Sequence, residues 1–301
     1  MLNRIIELLH LLRVRQYYKN VIIFVGIFFS QNLFFPTHYF SLVIGFIILC
    51  FTSSFNYIIN DIVDIEKDKL HTEKLKKKPL ASGSISKFNA IIILIILALM
   101  IIGLLIFLRP NLGFIFMIVL MILIGQLYNH IFKKYAFIDI IILSTGYLWR
   151  ALAGCMIIEQ YVSAWLFLAI FEVAIFLSIA KRKGDLKFLG DDVAAEHKEV
   201  YDQYSLKLLE QYHVIIAGSL FMTYALYLIN RFRLDETGIP TLFEYLSILT
   251  VPISLYILMR YMYLTSSKPE IARSTEKAFL DKSIIIAGVL LMGILFVSFY
   301  F

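Results

Sequence analysis

The chain has 301 residues, of which 60% are hydrophobic and only 17% charged, with mean hydropathy +0.81 and a net charge of +6 at pH 7. Soluble domains carry about 45–50% apolar residues, so a soluble globular enzyme, a disordered chain and a disulfide-stapled secreted domain are all excluded. At about 20 mostly apolar residues per crossing, this composition belongs to a polytopic membrane protein.

Residues 1–19 do not form a signal peptide, because Arg4, Glu7, Arg13, Arg15 and Lys19 interrupt the apolar core and no small-residue cleavage site follows. Ile5, Ile6, Leu8, Leu9, Leu11 and Leu12 instead predict an amphipathic helix lying on the cytoplasmic membrane surface. Apolar runs near 20–35, 40–59, 88–108, 112–128, 136–158, 164–180, 213–230, 242–264 and 280–300 predict nine transmembrane helices, the first one short. They form one all-α domain over 1–301. Of the 28 Lys and Arg residues, 24 fall in the alternating segments 1–19, 60–87, 129–135, 181–212 and 260–282. Three fall in the opposite set, and Arg150 lies inside a span. That bias puts the N-terminus in the cytoplasm and the C-terminus outside. The positive charge is therefore spent on topology, and no nucleic-acid partner is expected. Cys50 and Cys155 stand alone in apolar runs and read as small buried hydrophobes.

The two long cytoplasmic loops, 60–87 and 181–212, are where chemistry is expected. The first opens Asn60-Asp61-Ile62-Val63-Asp64-Ile65-Glu66-Lys67-Asp68. If the second span continues as helix, turning about 100° per residue, Asp61, Asp64 and Asp68 share one face, with Asn60 beside Asp64. Three carboxylates at a membrane mouth repel one another unless a cation sits among them. Oxygen ligands completed by substrate phosphates are what Mg²⁺ prefers, with Mn²⁺ as the second choice. His71, Lys74, Lys76, Lys77 and Lys78 follow, a basic run suited to a metal-bridged diphosphate or simply to the cytoplasmic charge bias.

At this point the sequence resembles the UbiA superfamily of intramembrane prenyltransferases, whose first aspartate motif has this NDxxDxxxD form. Within it the similarity runs to the decaprenyl-phosphate phosphoribosyltransferase branch. Arg13-Val14-Arg15-Gln16-Tyr17-Tyr18-Lys19-Asn20 resembles that branch's RPxQWxKN. The stretch Asp68 to Lys74 and on to Lys78-Pro79-Leu80-Ala81-Ser82-Gly83 resembles its DxxHPxKxxRPIAxG. Tyr128, Lys133 and Asp139, then Gly146 to Gly154 with Arg150 inside, resemble its Yx4Kx5D and GxxxRAxAG. Lys181-Arg182-x-x-Asp185-Leu186 resembles its KRxxEL. The resemblance implies nine spans with the reactive loops facing the cytoplasm of the cell (inner) membrane. It implies Asp61, Asp64 and Asp68 as metal-binding catalytic residues. It implies Gln16, Lys19, Asn20, Asn60, His71, Lys74, Lys78, Tyr128, Lys133, Arg150, Lys181, Arg182 and Asp185 as substrate contacts.

Where other members of that superfamily carry a second DxxxD after the sixth span, this chain has Lys181-Arg182-Lys183-Gly184-Asp185, and Asp191 and Asp192 lie further on without that spacing. A cationic cluster contacts phosphate oxygens directly. The ligand it suits is 5-phosphoribosyl 1-diphosphate, with a polyprenyl phosphate lipid as acceptor and the surrounding membrane lipids housing the tail. The alternative is a prenyltransferase moving an isoprenoid from its diphosphate to an aromatic or glycerol-type acceptor. A transporter is less favoured, because the carboxylates gather at the mouth and not at the midplane. Arg150 and Glu172 lie well inside spans, at similar depth. They either pair with each other or leave Arg150 to face an anionic substrate.

Overall fold

The structure, a computed structural model, describes residues 2–69, 75, 78–161, 163–189, 199–234, 241–268, 271 and 275–301. Regular structure among these is helical, with no strand. α1 (Leu2–Leu11) leads into a 3-10 stretch (Val14–Phe24) and α2 (Val25–Phe29). Then come α3 (Pro36–Val63), α4 (Ile65–Lys69), α5 (Pro79–Ser82), α6 (Lys87–Leu108) and α7 (Leu112–His130). A 3-10 turn (Phe132–Lys134) precedes α8 (Ile138–Ile157) and α9 (Ala164–Leu189), and another (Glu199–Gln203) precedes α10 (Leu206–Phe232). α11 (Leu242–Ile248), α12 (Thr250–Ser267), α13 (Thr275–Ala278) and α14 (Lys282–Tyr300) complete the order. Among the described residues, eight segments are long and apolar enough to cross a membrane, α11 and α12 together making one of them. The chain is a multi-pass membrane protein.

The first predicted span is where structure and sequence differ. Run 20–35 is not one helix: the 3-10 stretch occupies its start and the five-residue α2 follows. With three residues per turn, every third side chain lines up. Arg15, Tyr18 and Val21 are accordingly exposed, while Asn20, Ile23 and Gly26 are buried. The helical period read from the apolar residues alone misses that register.

Two compact units divide the chain: Met1–His130 with Trp149–Tyr161, and Ile131–Leu148 with Val162–Phe301. In the first, α3 is the central element. It packs against α6, α7 and the 3-10 stretch, around a core that includes Ile23, Ile27, Leu42, Leu49, Phe114 and Ile157. The stretch runs antiparallel to α3: Arg13 meets Asp61, Tyr17 meets Ser54, and Asn20 meets Cys50. The end of α8 lies along its other side. Four α-helical residues and three 3-10 residues both rise about 6 Å, so Arg150 and Gly154 fall level with Asn20 and Ile23. A side-chain carbon on Gly154 would come within 1.9 Å of the Ile23 carbonyl oxygen, so only glycine fits there. α6 presents Ile91, Ile95, Leu99, Ile102 and Ile106 outward, an apolar surface suited to lipid.

In the second unit α9 packs along α10, and α12 packs against α14 and α10. Ile140, Ile179, Leu186, Val200, Tyr201, Tyr204 and Leu209 form a core near the end of α9. The expected loop 181–212 is therefore shorter than its boundaries: α9 continues through Leu189 and α10 begins at Leu206, capped by the Ser205 hydroxyl. Asp191 and Asp192 lie outside the described residues. Asp281 also has a structural place. It caps α14 through the amides of Ser283 and Ile284 and forms a two-point ion pair with Arg260, which holds its carboxyl below the ordinary 3.8.

Candidate functional site

The aspartate segment does not continue as one straight helix. α3 ends at Val63, and Asp64 relaxes to φ −91°, ψ 7°, although its amide still reaches the Asn60 carbonyl at 2.9 Å. α4 then resumes, with the Asp68 amide on the Asp64 carbonyl at 2.9 Å. The three expected ligands are unequally buried across this break. Asp61 is 3% exposed and Asp68 is 2% exposed, whereas Asp64 and Asn60 are half-buried.

What joins Asp61 to Asp68 is Lys78. Its ammonium lies 2.8 Å from Asp61 Oδ1 and 2.5 Å from Asp68 Oδ2. Lys78 precedes Pro79, which disfavours helix at that residue and leaves it extended (φ −109°, ψ 116°) at the start of α5. Arg13 supplies the second cation, its Nη2 at 2.7 Å from Asp61 Oδ1 and its guanidinium 4.5 Å from the centre of the Tyr57 ring. Tyr57 and Asp61 are four residues apart and so share one face of α3. Arg13 opens the basic motif in the sequence, yet it is absent from the expected contacts. Its left-handed backbone (φ 51°), which turns α1 into the 3-10 stretch, is invisible to pattern reading. Each cation backs up the other at Asp61, so removing one leaves that carboxylate paired with the second.

Deeper along the same stretch, Asn20 is 1% exposed and gathers three groups. It donates to Cys50 Sγ at 3.3 Å, and its Oδ1 accepts from Arg150 Nε at 2.7 Å and from Ser53 at 3.4 Å. Seven 3-10 residues, about 14 Å of rise, separate Asn20 from Arg13, so Arg150 sits well below the carboxylates. Within the first unit Arg150 donates to Asn20, and within the second Glu172 Oε1 accepts from Ser219 at 2.5 Å. Gln16 is half-buried, Lys19 lies 6.0 Å from the Tyr18 ring centre, and Tyr128 is half-buried near the end of α7. His71 and Lys74 lie outside the described residues.

The second unit turns its expected contacts inward. Arg182, with 4% of its side chain exposed, pairs with the fully buried Asp139 at 2.6 Å and donates to the Tyr201 hydroxyl at 3.1 Å. Tyr201 donates to Asp185 at 2.5 Å, and Tyr204 donates to Asp139 at 2.6 Å. Burial raises both phenols above the ordinary tyrosine value, so they remain donors to these carboxylates. Arg182 and Asp185 are thus linked through Tyr201, and Asp139 is held by Tyr204, two tyrosines that carry no motif. Lys181 is exposed, and Lys133 is half-buried in its 3-10 turn. The buried lysine is Lys183, whose ammonium lies 3.5 Å from the Ser266 hydroxyl.

The oxygen set at Asp61 and Asp68 suits a hard divalent cation. Two buried carboxylates already converge on one cationic point, and Mg²⁺ is commonly held by one or two carboxylates with substrate phosphates filling the remaining positions. Among the described residues no three His, Cys, Asp or Glu side chains form an all-protein cage. A metal here completes its shell with water or with oxygens from its substrate.

An all-helical membrane bundle with buried carboxylates and cations at the end of a long central helix defines a class of intramembrane enzyme. The chain belongs to the UbiA prenyltransferase family, whose model matches residues 20–282. It is a transferase. It is 25% identical over 193 residues to a decaprenyl-phosphate phosphoribosyltransferase from Mycolicibacterium smegmatis, covering 64% of this chain and 59% of that protein. It is 26% identical over 218 residues to a decaprenyl-phosphate phosphoribosyltransferase from Corynebacterium glutamicum, covering 72% and 65%. The match thus spans about six tenths of the length of these curated relatives. The fold is that of a UbiA homologue from Archaeoglobus fulgidus bound to GPP and Mg²⁺, with a TM-score of 0.67 at 17% identity, covering 98% of this chain and all of that one.

Proposed function

We propose that this protein transfers the 5-phosphoribosyl group from 5-phosphoribosyl 1-diphosphate to a polyprenyl phosphate at the cytoplasmic face of the cell (inner) membrane. The sequence feature that favours this choice over prenyl transfer is the missing acidic DxxxD at the end of α9, where Lys181-Arg182-Lys183 stands instead and Lys181 is the exposed cation of the three. The similarity to phosphoribosyltransferases supports the same choice. Orientation follows from the charge bias, with the N-terminus inside and the C-terminus outside. The 3-10 stretch and α2 together rise roughly 30 Å, the thickness of a hydrocarbon core. They lie antiparallel to α3, and we count them as the ninth crossing.

In this reading Asp61 and Asp68 hold the metal, with Asp64 at the break beside them. When bound, Mg²⁺ supplies neutralisation of the charge that gathers on the leaving diphosphate. Arg13 fixes Asp61, and Lys78 reaches the phosphate oxygens. Asn60, Gln16, Lys19 and Tyr128 serve in this reading as polar contacts to the donor, with His71 and Lys74 as further anion contacts. Asn20 and Arg150 form a polar floor about 14 Å deeper. The bond between the ribose C1 and the diphosphate oxygen breaks, and the electron pair leaves with the diphosphate. A phosphate oxygen of the lipid forms the new bond to C1, with inversion. The acceptor oxygen is already anionic, so no general base is required; the protein positions it and excludes water.

The test is a paired assay on protein in lipid with Mg²⁺: labelled phosphoribosyl diphosphate with polyprenyl phosphate in one arm, prenyl diphosphate with an aromatic acceptor in the other. Labelled lipid in the first arm is expected, abolished by EDTA. Asp61→Asn should lower it by at least roughly 100-fold, the upper end of what even outer partners of metal ligands contribute. Turnover only in the second arm would replace this reading with the conventional prenyl transfer.

A further inference from the structure

Asp61 receives both of its cations on one oxygen. Arg13 Nη2 and Lys78 Nζ converge on Oδ1, leaving Oδ2 without a hydrogen bond among the described residues. The Lys78 ammonium also reaches Asp68. A positive charge between two desolvated carboxylates satisfies the requirement that a divalent cation would satisfy between the same oxygens. The two cannot share that point, because Mg²⁺ binds oxygen at about 2.1 Å and an ammonium beside it is repelled. The two basic residues also differ in how firmly they are held. Arg13 is stacked on Tyr57, whereas Lys78 stands on a flexible four-carbon stem at an extended position and keeps 20% of its side chain exposed.

Resting on the metal reading above, we propose that Lys78 is the resident counter-cation of the Asp61–Asp68 pair and exchanges with the metal. The ammonium leaves the carboxylates as the metal enters and is received by the oxygens of the diphosphate, while Arg13 stays on Asp61. The exchange makes the two ligands depend on each other. A metal alone displaces an ammonium that has nowhere favourable to go, and a diphosphate alone meets carboxylates that repel it. The site thereby selects a metal-bound diphosphate over a free metal or a simple sugar phosphate.

Mn²⁺ binding, read by electron paramagnetic resonance without any phosphate present, tests the exchange. If Lys78 occupies the bridging position nine-tenths of the time, Lys78→Met should bind Mn²⁺ roughly tenfold tighter than the wild type, and Lys78→Arg should stay near the wild type. A second readout needs no variant: acylation of Lys78, followed by mass spectrometry, should rise when Mg²⁺ saturates the wild-type protein and fall again when diphosphate is added. Equal Mn²⁺ affinity in a folded Lys78→Met protein, or Lys78 acylation that saturating Mg²⁺ leaves unchanged, overturns the exchange. If Lys78→Met binds Mn²⁺ tightly but Asp61→Asn in that background does not weaken it, the carboxylates are not the metal ligands, and the metal reading falls instead. Absence of Mn²⁺ binding in all of these proteins overturns both.

Discussion

Arg182 and Arg13 are both motif arginines near a carboxylate, yet their surroundings set them apart. Arg182 and Asp139 are sealed together, and the phenols of Tyr201 and Tyr204 satisfy what remains of the two carboxylates around them. A pair this deep is weak as a source of net stability but destructive when halved, since one charge is left desolvated. Asp139→Asn should therefore lower the stability of the detergent-solubilised protein by about 3–5 kcal/mol, visible as a fall in Tm. The double variant Asp139→Leu with Arg182→Met should recover much of the loss. A change confined to KM, with Tm unmoved, would instead mean that Arg182 serves the substrate first. Arg13 retains 29% of its side-chain exposure beside the carboxylates, so its pair with Asp61 is the more solvent-screened of the two.

At the scale of elements, the contact between α8 and the 3-10 stretch decides where Asn20 and Arg150 meet. The approach at Gly154 is closer than any side chain allows, and small residues at such crossings are what let membrane helices touch backbone to backbone. Gly154→Ala should cost about 1–3 kcal/mol or more through overpacking, read as a lowered Tm, and should weaken activity by shifting Asn20. Gly288→Ala in α14 is the control, because nothing lies within 4 Å of the added carbon. That substitution should be neutral or stabilising by up to about 1 kcal/mol. Equal effects at the two glycines would mean that helix propensity, and not the crossing, governs the region.

For the whole molecule, the charge distribution and the helix count make a joint prediction. Nine crossings put the two termini on opposite sides, whereas the eight long segments alone would put them on the same side. A reporter active only outside the cytoplasm should be active when fused after Phe301 and silent when fused before Met1. Activity at both or neither would remove the Val14–Phe29 segment from the count of crossings.

Composition and the 24-to-3 split of basic residues are enough to predict a helical membrane protein and its orientation, because burial in lipid demands long apolar runs and the charge bias acts on each loop separately. Asp61 and Asp68 are legible for a related reason: carboxylates at a membrane mouth have no topological cause. The partners of those carboxylates were not legible. Lys78 reaches Asp68 across ten residues, Arg13 reaches Asp61 across forty-eight, and Asp139 meets Arg182 across forty-three. Such pairings depend on how helices pack and where a backbone leaves the α-helical period, as it does at Arg13 and Asp64. A short-range pattern carries no record of either, so only the tertiary structure could assign Arg13 to the site and turn Arg182 into the core.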